Sequence, residues 1–256
     1  MPRSRLSLIL AGAAVAAVLG GSLIFQQFLA GDDIARLTLA PAAASGAPSA
    51  TPGNSTDPTG AGASASAPSP GHASLADLAG TWSIADGSIV GYRVREQLGG
   101  VTALTDAVGR TNAVTGTAIL ELRGDALVVA AGSFEADLTQ LRSDNGRRDN
   151  RIRTIGLQSN DFPSATFVMG EAIVVPPEAI AGSTVEITMT GDLTIHGVTN
   201  RVSIAGQAHL SGGRIEIAAA LTFPFEDFGM TPPDILGFVQ VEDDATLEVL
   251  LSLARG

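Results

Sequence analysis

Residues 184–196 read Thr-Val-Glu-Ile-Thr-Met-Thr-Gly-Asp-Leu-Thr-Ile-His, and every second residue from Val185 onward is apolar or glycine. Side chains of a β-strand alternate between its two faces, so this pattern predicts one strand with an apolar face and a polar face. A helix would need apolar residues at a period near 3.6, and the segment has no such period. The strand ends in Leu193-Thr-Ile-His-Gly197, the most specific local signature in the chain.

Further segments share this alternation of apolar and polar residues. Gly212-Gly213 separates two of them and is typical of a hairpin turn. About eight consecutive half-buried strands predict an antiparallel all-β fold, and the pattern alone is compatible with a sandwich or a barrel. The segments are residues 90–94, two runs within residues 114–138, and residues 201–210, 215–225 and 247–253.

The N-terminal segment is uncharged and mostly apolar over residues 6–25, and it follows Arg3 and Arg5. About 20 residues at a rise of roughly 1.5 Å make a helix of about 30 Å, which is long enough to span a bilayer. We therefore predict a membrane anchor over residues 1–30. Because positive residues favour the cytoplasmic side, the N-terminus would be cytoplasmic and the remainder of this single-pass chain would lie outside.

A secretory signal peptide is the alternative interpretation of the N-terminal segment. Its apolar stretch usually has about 7 to 15 residues and is followed closely by a cleavage site between small residues. Here the stretch is longer, and the first suitable Ala-x-Ala sites come near residues 40–44. Cleavage there would make the protein secreted, whereas the spacing favours a retained anchor.

Composition divides the rest of the chain into a tether and one domain. Residues 31–75 are low-complexity Ala, Pro, Ser, Gly and Thr, which predicts a disordered linker. Residues 76–256 are long enough for one domain with a real core. The charges of the first 75 residues balance, so the whole net charge of −11 lies on this domain. Such a charge disfavours nucleic acids and anionic membrane surfaces as partners.

Seven landmarks along the domain occur in an order that resembles the YceI-like family, whose members bind polyisoprenoids in a lipocalin-like barrel. This resemblance implies an antiparallel eight-stranded barrel with a short helical insertion, and an interior that holds a long isoprenoid such as a quinone or a polyprenyl phosphate. Residues 96–113, and Arg151 where the family often has His, depart from the family pattern. The landmarks are Trp82–Ser88, Tyr92, Val114-Thr-Gly116, Arg148-Asp149, Phe162-Pro-Ser-Ala-Thr-Phe167, Gly191–Gly197 and Phe228-Gly229.

The apolar faces supply candidate residues for the lining of a lipid cavity. An eight-stranded barrel can be packed solid or can hold one ligand. The resemblance, together with small residues at Gly206, Ala208 and Ala219, favours a cavity over a solid core. The predicted lining residues are Tyr92, Phe134, Phe167, Ile195, Phe223, Phe225 and Phe228.

A cluster of arginines supplies candidates for binding a head group. Five of the domain's twelve arginines fall within residues 142–153. A guanidinium can bind phosphate oxygens through two parallel hydrogen bonds, so a basic rim would favour a phosphorylated polyprenol over a neutral quinone. The alternative is a solvated face whose arginines pair with nearby carboxylates. The candidates are Arg147, Arg148, Arg151 and His196.

Catalytic and metal chemistry find little support in the sequence. The chain has no cysteine and three histidines, of which His72 lies in the tether and His209 on a different polar row from His196. No Ser-His-Asp order and no glycine-rich phosphate loop is present. We therefore expect a binding protein, not an enzyme, with neither a metal site nor a covalent cofactor.

Two functions remain open at this point. The first is a tethered carrier or store for an isoprenoid lipid outside the cytoplasmic membrane, where a homodimer is a compatible assembly. The second is an extracytoplasmic stress-related or protein-interaction module that uses the barrel as a scaffold without lipid.

Overall fold

The computed structural model describes residues 34–40, 75–98, 104–235 and 239–256, and it confirms the all-β prediction. Within these residues three short α-helices and two 3-10 turns, at Leu138–Gln140 and Phe225–Phe228, accompany the strands. The helices are α1 (Leu75–Leu78), α2 (Gly146–Thr154) and α3 (Pro177–Ile180). The strands are β1 (Gly80–Ile84), β2 (Ile89–Leu98), β3 (Leu104–Thr111), β4 (Val114–Arg123), β5 (Ala126–Asp137), β6 (Arg142–Ser143), β7 (Ser164–Met169), β8 (Ile173–Val174), β9 (Val185–Ile195), β10 (Val198–Ser211), β11 (Arg214–Pro224), β12 (Asp234–Ile235) and β13 (Val239–Arg255).

The strands close into an eight-stranded antiparallel barrel. Two of its eight members are bent pairs, because β1 is continued by β2 and β3 by β4. The order around the barrel is β1/β2, β3/β4, β5, β7, β9, β10, β11 and β13. Closure comes from β13, which pairs with β11 on one side and with β2 and β1 on the other. The strand pattern was compatible with a sandwich or a barrel, and the structure is a barrel.

The predicted alternation of faces is confirmed in β9 and in the hairpin that follows it. Met189, Leu193 and Ile195 are buried in the interior, whereas Glu186 and Asp192 are exposed. At the far end of β10, Gly212 and Gly213 take φ of +58° and +76° between the paired residues Ser211 and Arg214. Two consecutive positive φ angles fit the tight turn that the Gly-Gly pair predicts.

The interior contains two apolar clusters, one toward each end of the barrel. We call the end that carries α2 and the β9–β10 turn the mouth, and the end that carries α1, α3 and the β10–β11 turn the floor. The mouth cluster is built on residues such as Leu193, Phe223 and Phe228. The floor cluster is built on residues such as Leu127 and Trp82. The indole Nε1 of Trp82 donates to the carbonyl of Leu78 at 2.9 Å and so fixes α1 across the floor.

The N-terminal predictions fall mostly outside the described residues. Residues 1–33, which carry the predicted anchor, and residues 41–74 of the predicted linker are among those not described. No helix in the described part of the chain is long and apolar enough to cross a membrane. Residues 34–40, at the start of the predicted linker, lie against the outer wall of the barrel and accept hydrogen bonds from it.

Gly206 shows that small inward residues do not by themselves create space. A Cβ added to Gly206 would lie 2.6 Å from the carbonyl oxygen of Ala218 and 2.6 Å from the Cβ of Ala219. Ala219 itself is buried in the mouth cluster. Both residues were expected to leave room for a ligand; instead they let β10 and β11 approach closely. Ala208, the third small residue of that expectation, does line a cavity.

Replacing Gly206 with alanine should therefore destabilise the barrel by about 1–3 kcal/mol, the usual cost of overpacking. The matched control is Gly146→Ala in the first turn of α2, where an added Cβ would meet nothing within 4 Å. That control should be neutral or stabilise by up to about 1 kcal/mol, because alanine restricts the unfolded chain. Urea unfolding of both variants measures the difference, and equal stabilities would contradict the packing described for Gly206.

Candidate functional site

A pocket of about 270 Å³ opens at the mouth of the barrel. The end of α2, the loop that follows it, the β9–β10 turn and residues 229–233 form its walls. Arg151, Gln158 and His196 supply its polar groups, and Met230 supplies part of its apolar base. This pocket brings together two of the four predicted head-group residues, Arg151 and His196.

His196 is first of all a turn residue. It takes φ of +53° and Gly197 takes φ of +74°, between the paired residues Ile195 and Val198. A two-residue hairpin turn of this kind needs positive φ at both positions, and histidine is among the non-glycine residues that tolerate it best. A Cβ on Gly197 would lie 2.9 Å from the ring of Phe162, so the following residue must be glycine for a second reason.

The side chain of His196 joins this turn to the loop after α2. Its Nε2 lies 2.6 Å from Oε1 of Gln158, and its ring centroid lies 4.2 Å from that of Phe162. Gln158 is the other non-glycine residue with positive φ among those described, at +48°. Left-handed conformations of such residues cost free energy and tend to cluster at functional sites. The contact fixes the loop so that the C-terminal end of α2, with Arg151, stands over the mouth.

The remaining arginines of the cluster differ in what they contact. Arg148 binds Glu96 at 2.7 Å and also pairs with Asp144. Burial opposes the charge on Arg148, but the two carboxylates outweigh burial and raise the pKa of its guanidinium above the usual value. Arg147 is exposed and does not line the mouth pocket. Arg148 is therefore held in ion pairs, and Arg151 is the arginine that faces the pocket.

Helix α2 is held in place by polar groups at its N-terminal end. The side chain of Asn145 accepts hydrogen bonds from the backbone of Arg147 and Arg148, which caps the helix. Asp149 is buried and accepts from both the backbone nitrogen and the hydroxyl of Ser143, at 2.9 and 2.6 Å. These bonds tie the helix to β6 and leave its other end at the pocket. Among the described residues, no group of three or more His, Asp or Glu side chains is placed to hold a metal ion.

The predicted lining residues lie mostly in the packed mouth cluster. Phe167, Ile195, Phe223 and Phe228 are buried there, and Phe225 is half-buried against it. The rings of Phe223 and Phe228 meet edge to face with centroids 4.8 Å apart. Phe134 packs against both clusters and is the only one of the predicted residues that lines the cavity at the floor.

A second void, an apolar cavity of about 100 Å³, lies at the floor. Its lining includes Trp82, Leu127, Met169, Met189 and Ala208. Of these residues, only Ala208 was among the sequence-based candidates, because the aliphatic and methionine side chains resemble ordinary core residues on the same inward faces. Trp82, the only tryptophan of the chain, is the residue whose sequence position could have indicated this end of the barrel.

Methionines connect the mouth to the floor. The chain has four methionines, and the three that follow Met1 all lie in the barrel interior. Met230 lines the mouth pocket and belongs to the mouth cluster. Met169 and Met189 pack with the mouth cluster and line the floor cavity. Methionine side chains are unbranched and adapt to irregular spaces, so these three residues are suited to rearrange between the two voids.

Family comparison agrees with this architecture. The family model of the YceI-like domain matches residues 82–253, which is more than half of the chain. The chain belongs to the YceI-like family. This assignment confirms the resemblance drawn from the seven sequence landmarks.

The solved structures to which this YceI-like chain is similar are distant from it in sequence. A polyisoprenoid-binding domain from Saccharophagus degradans, implicated in plant cell wall breakdown, has a TM-score of 0.50 and 15% identity, covering 70% of this chain and 99% of that one. BcnA of Burkholderia cenocepacia has a TM-score of 0.46 and 17% identity, covering 63% and 95%. The YCEI protein of Campylobacter jejuni has a TM-score of 0.42 and 17% identity, covering 56% and 82%. None of the curated proteins compared with the chain matches it.

Tyr92, the remaining predicted lining residue, places a hydroxyl in a buried position. It lies on β2, opposite Gly109 of β3, where an added Cβ would meet its ring. The hydroxyl has no hydrogen-bond partner among the described residues. Burial disfavours the phenolate and raises the pKa of Tyr92 well above its ordinary value.

Alkaline titration can test this environment directly, because Tyr92 is the only tyrosine of the chain. The folded protein should show no tyrosinate absorbance at pH about 10, the ordinary pKa of the group. The raised pKa contributes stability that is complete below pH about 10 and is lost as the pH rises further, since the unfolded chain ionises first. Tyr92→Phe should lack this alkaline loss and be at least as stable at neutral pH, because it removes an unpaired buried hydroxyl. Titration near pH 10 with the fold intact would contradict the buried position.

Proposed function

We propose that this YceI-like barrel binds a long-chain isoprenoid lipid, with the hydrocarbon in the interior and the head group in the mouth pocket. The observation that carries the proposal is the pair of voids at opposite ends of one apolar interior, joined by adaptable methionines. Family membership supports it, and so does the fold shared with a polyisoprenoid-binding domain of another organism.

The size of the floor cavity means that a ligand must rearrange the interior. A cavity of about 150 Å³ is enough for benzene, and the floor cavity has about 100 Å³. Each buried methylene contributes about 0.8 kcal/mol, so one five-carbon isoprene unit would contribute roughly 4 kcal/mol. Inserting extra methylenes into a well-packed core costs about 1–3 kcal/mol, so this gain is kept only where side chains move aside. Binding of a chain of several isoprene units therefore requires the side chains between the floor cavity and the mouth pocket to rearrange.

The polar groups of the mouth pocket favour a phosphorylated polyprenol over a quinone. Arg151 lines the pocket with an exposed guanidinium, next to His196 and Gln158. A guanidinium binds phosphate oxygens through charge-assisted hydrogen bonds, whereas a neutral quinone gains much less from it. Arg148 contributes less, because Glu96 and Asp144 already pair with it.

The same proposal includes a location outside the cytoplasmic membrane, with the chain held there by residues 1–30. The support is the sequence: an apolar stretch of spanning length after Arg3 and Arg5. A tethered barrel of this kind acts as a carrier or store for lipid, without catalysis. The alternative is an extracytoplasmic stress-related or protein-interaction module that contains no lipid.

The interior can be tested by filling the floor cavity. Ala208→Leu places extra volume in the cavity, so it should reduce the isoprenoid that co-purifies with the full-length protein several-fold while leaving stability nearly unchanged. The matched control is Ala219→Leu on the neighbouring strand, which has no cavity to fill and should cost about 1–3 kcal/mol. Mass spectrometry of lipid extracts and thermal unfolding supply the two measurements.

Lipid extracts of the parent protein separate the two functions. An isoprenoid present in the parent and depleted in Ala208→Leu supports the carrier. An extract without isoprenoid, even after incubation with polyprenyl phosphate and quinone, would favour the scaffold module.

The head-group role of Arg151 can be isolated with a charge-matched variant. Arg151→Glu should weaken polyprenyl phosphate binding about tenfold or more, because a hydrogen bond to a charged group contributes about 1.5–3 kcal/mol. Arg147→Glu, one helical turn away and outside the pocket, changes the net charge equally and should have a much smaller effect that disappears at high salt. Binding of a neutral quinone should be the same in both. Equal losses of polyprenyl phosphate affinity in the two variants would contradict the head-group role and favour a solvated face for the arginine cluster.

A further inference from the structure

The outer wall of the barrel carries a group of charged side chains that are buried although they point away from the interior. Arg93 on β2 is 4% exposed and Glu248 on β13 is 2% exposed. The guanidinium of Arg93 donates through Nε to Glu248 at 2.7 Å and through Nη1 to Asp106 at 2.8 Å. Burial opposes the charge on Arg93, yet the carboxylates Glu248 and Asp106 raise its pKa. Outward charges on a barrel normally remain in water, so something must cover these.

The cover is residues 34–40, which we call the strap. Arg93 Nη2 donates to the carbonyl oxygen of Ile34 at 2.8 Å. Arg110 donates through Nη2 to the carbonyl oxygen of Ala35. Within the strap Ile34, Leu37 and Leu39 are half-buried, whereas Ala35, Arg36, Thr38 and Ala40 are exposed. The strap therefore has one side toward the wall and one toward solvent.

The wall is shaped to receive these contacts. Gly91 lies between Glu248 and Arg110 in the register of the three strands. A Cβ on Gly91 would lie 2.8 Å from Cγ of Arg110, so glycine allows that side chain to cross the strand and reach Glu248 at 3.3 Å. Buried charges are stabilised only when they are paired and hydrogen-bonded. The carboxylates of Glu248 and Asp106 accept some of the hydrogen bonds that the two guanidinium groups donate. The carbonyl oxygens of Ile34 and Ala35 in the strap accept further hydrogen bonds from the same two groups.

We propose that the wall formed by Arg93, Arg110 and Glu248 is a docking surface for the strap, and that this contact fixes the distance and orientation of the barrel at the membrane. The second clause rests on the membrane anchoring proposed above. The strap is bonded to the wall through Ile34 and Ala35, and Leu75 of α1 packs against the floor cluster, so residues 41–74 link two segments that both contact the barrel. The connection between the anchor and the barrel is then residues 31–33 alone, and the wall of β2, β3 and β13 is the side that faces the bilayer.

Docking can be tested on the full-length chain with pairs of spin labels, because the protein has no cysteine of its own. Thr38→Cys on the exposed side of the strap and Arg95→Cys on the wall should give one short and narrow distance distribution. Leu39→Asp should broaden it and shift it to longer distances. Ala40→Asp adds the same charge at the neighbouring exposed position and should leave it unchanged. A broad distribution in the parent, or identical distributions in the two charged variants, would overturn the docking surface.

Membrane spacing needs a second measurement, on the full-length protein in phosphatidylcholine vesicles that contain a lipid-attached quencher. A fluorophore at Arg95→Cys should be quenched. An insertion of about twenty Gly and Ser residues adds roughly 25 Å of reach. Placed between Asp33 and Ile34, this insertion should relieve the quenching. The same insertion between residues 57 and 58 should have no effect.

The two measurements separate failure of the strap from failure of the anchor. The strap would be overturned as the spacing element if both insertions, the one after Asp33 and the one between residues 57 and 58, relieved the quenching equally. A parent that is not quenched and does not remain with the vesicles would overturn the anchoring and the spacing. In that case a narrow spin-label distance would still support the docking surface.

Discussion

Closure of the barrel through β13 is the constraint on which the rest of the structure depends. This strand, 17 residues long, pairs with β11 on one side and with β2 and β1 on the other. A closed sheet has no open edge, so each strand must turn one face to a single shared interior. The alternation of apolar and polar residues follows from this requirement. So does the separation of mouth and floor, because the interior can be reached only at its two ends.

The strands and their faces could be predicted from the sequence because they depend on a period of two residues. The space inside could not, since the period gives the face of a side chain and not the distance to the side chain opposite. Phe223 and Phe228 face inward as predicted, yet they pack against each other. Gly206 is small, yet it lies against Ala219. The barrel in place of a sandwich, and a lipid as ligand, came from the family resemblance and not from the pattern.

Charged residues show the same limit of sequence reasoning. Arg147, Arg148 and Arg151 are nearly adjacent in sequence, but the phase of α2 directs Arg148 to Glu96 and Arg151 to the mouth pocket. Arg93 lies on the polar face of its strand and would be expected in water, yet it is buried with Glu248. Glu96 is distant in sequence from Arg148, and Glu248 is distant from Arg93. Such pairings depend on how strands and segments meet in three dimensions. The turn at His196 depends on a local pattern instead, since a His-Gly pair between two alternating rows is typical of a turn.

The methionines between the mouth and the floor give the interior a chemical sensitivity as well as adaptability. Oxidation of methionine converts a flexible apolar side chain into a polar sulfoxide. A sulfoxide at Met230 would place a strong dipole at the entrance to the apolar interior, next to Phe228 and the mouth pocket. One at Met169 or Met189 would put the same dipole beside the floor cavity. The methionines that can move aside for a hydrocarbon chain are thus also the residues whose oxidation would make the interior more polar and weaken its binding of that chain.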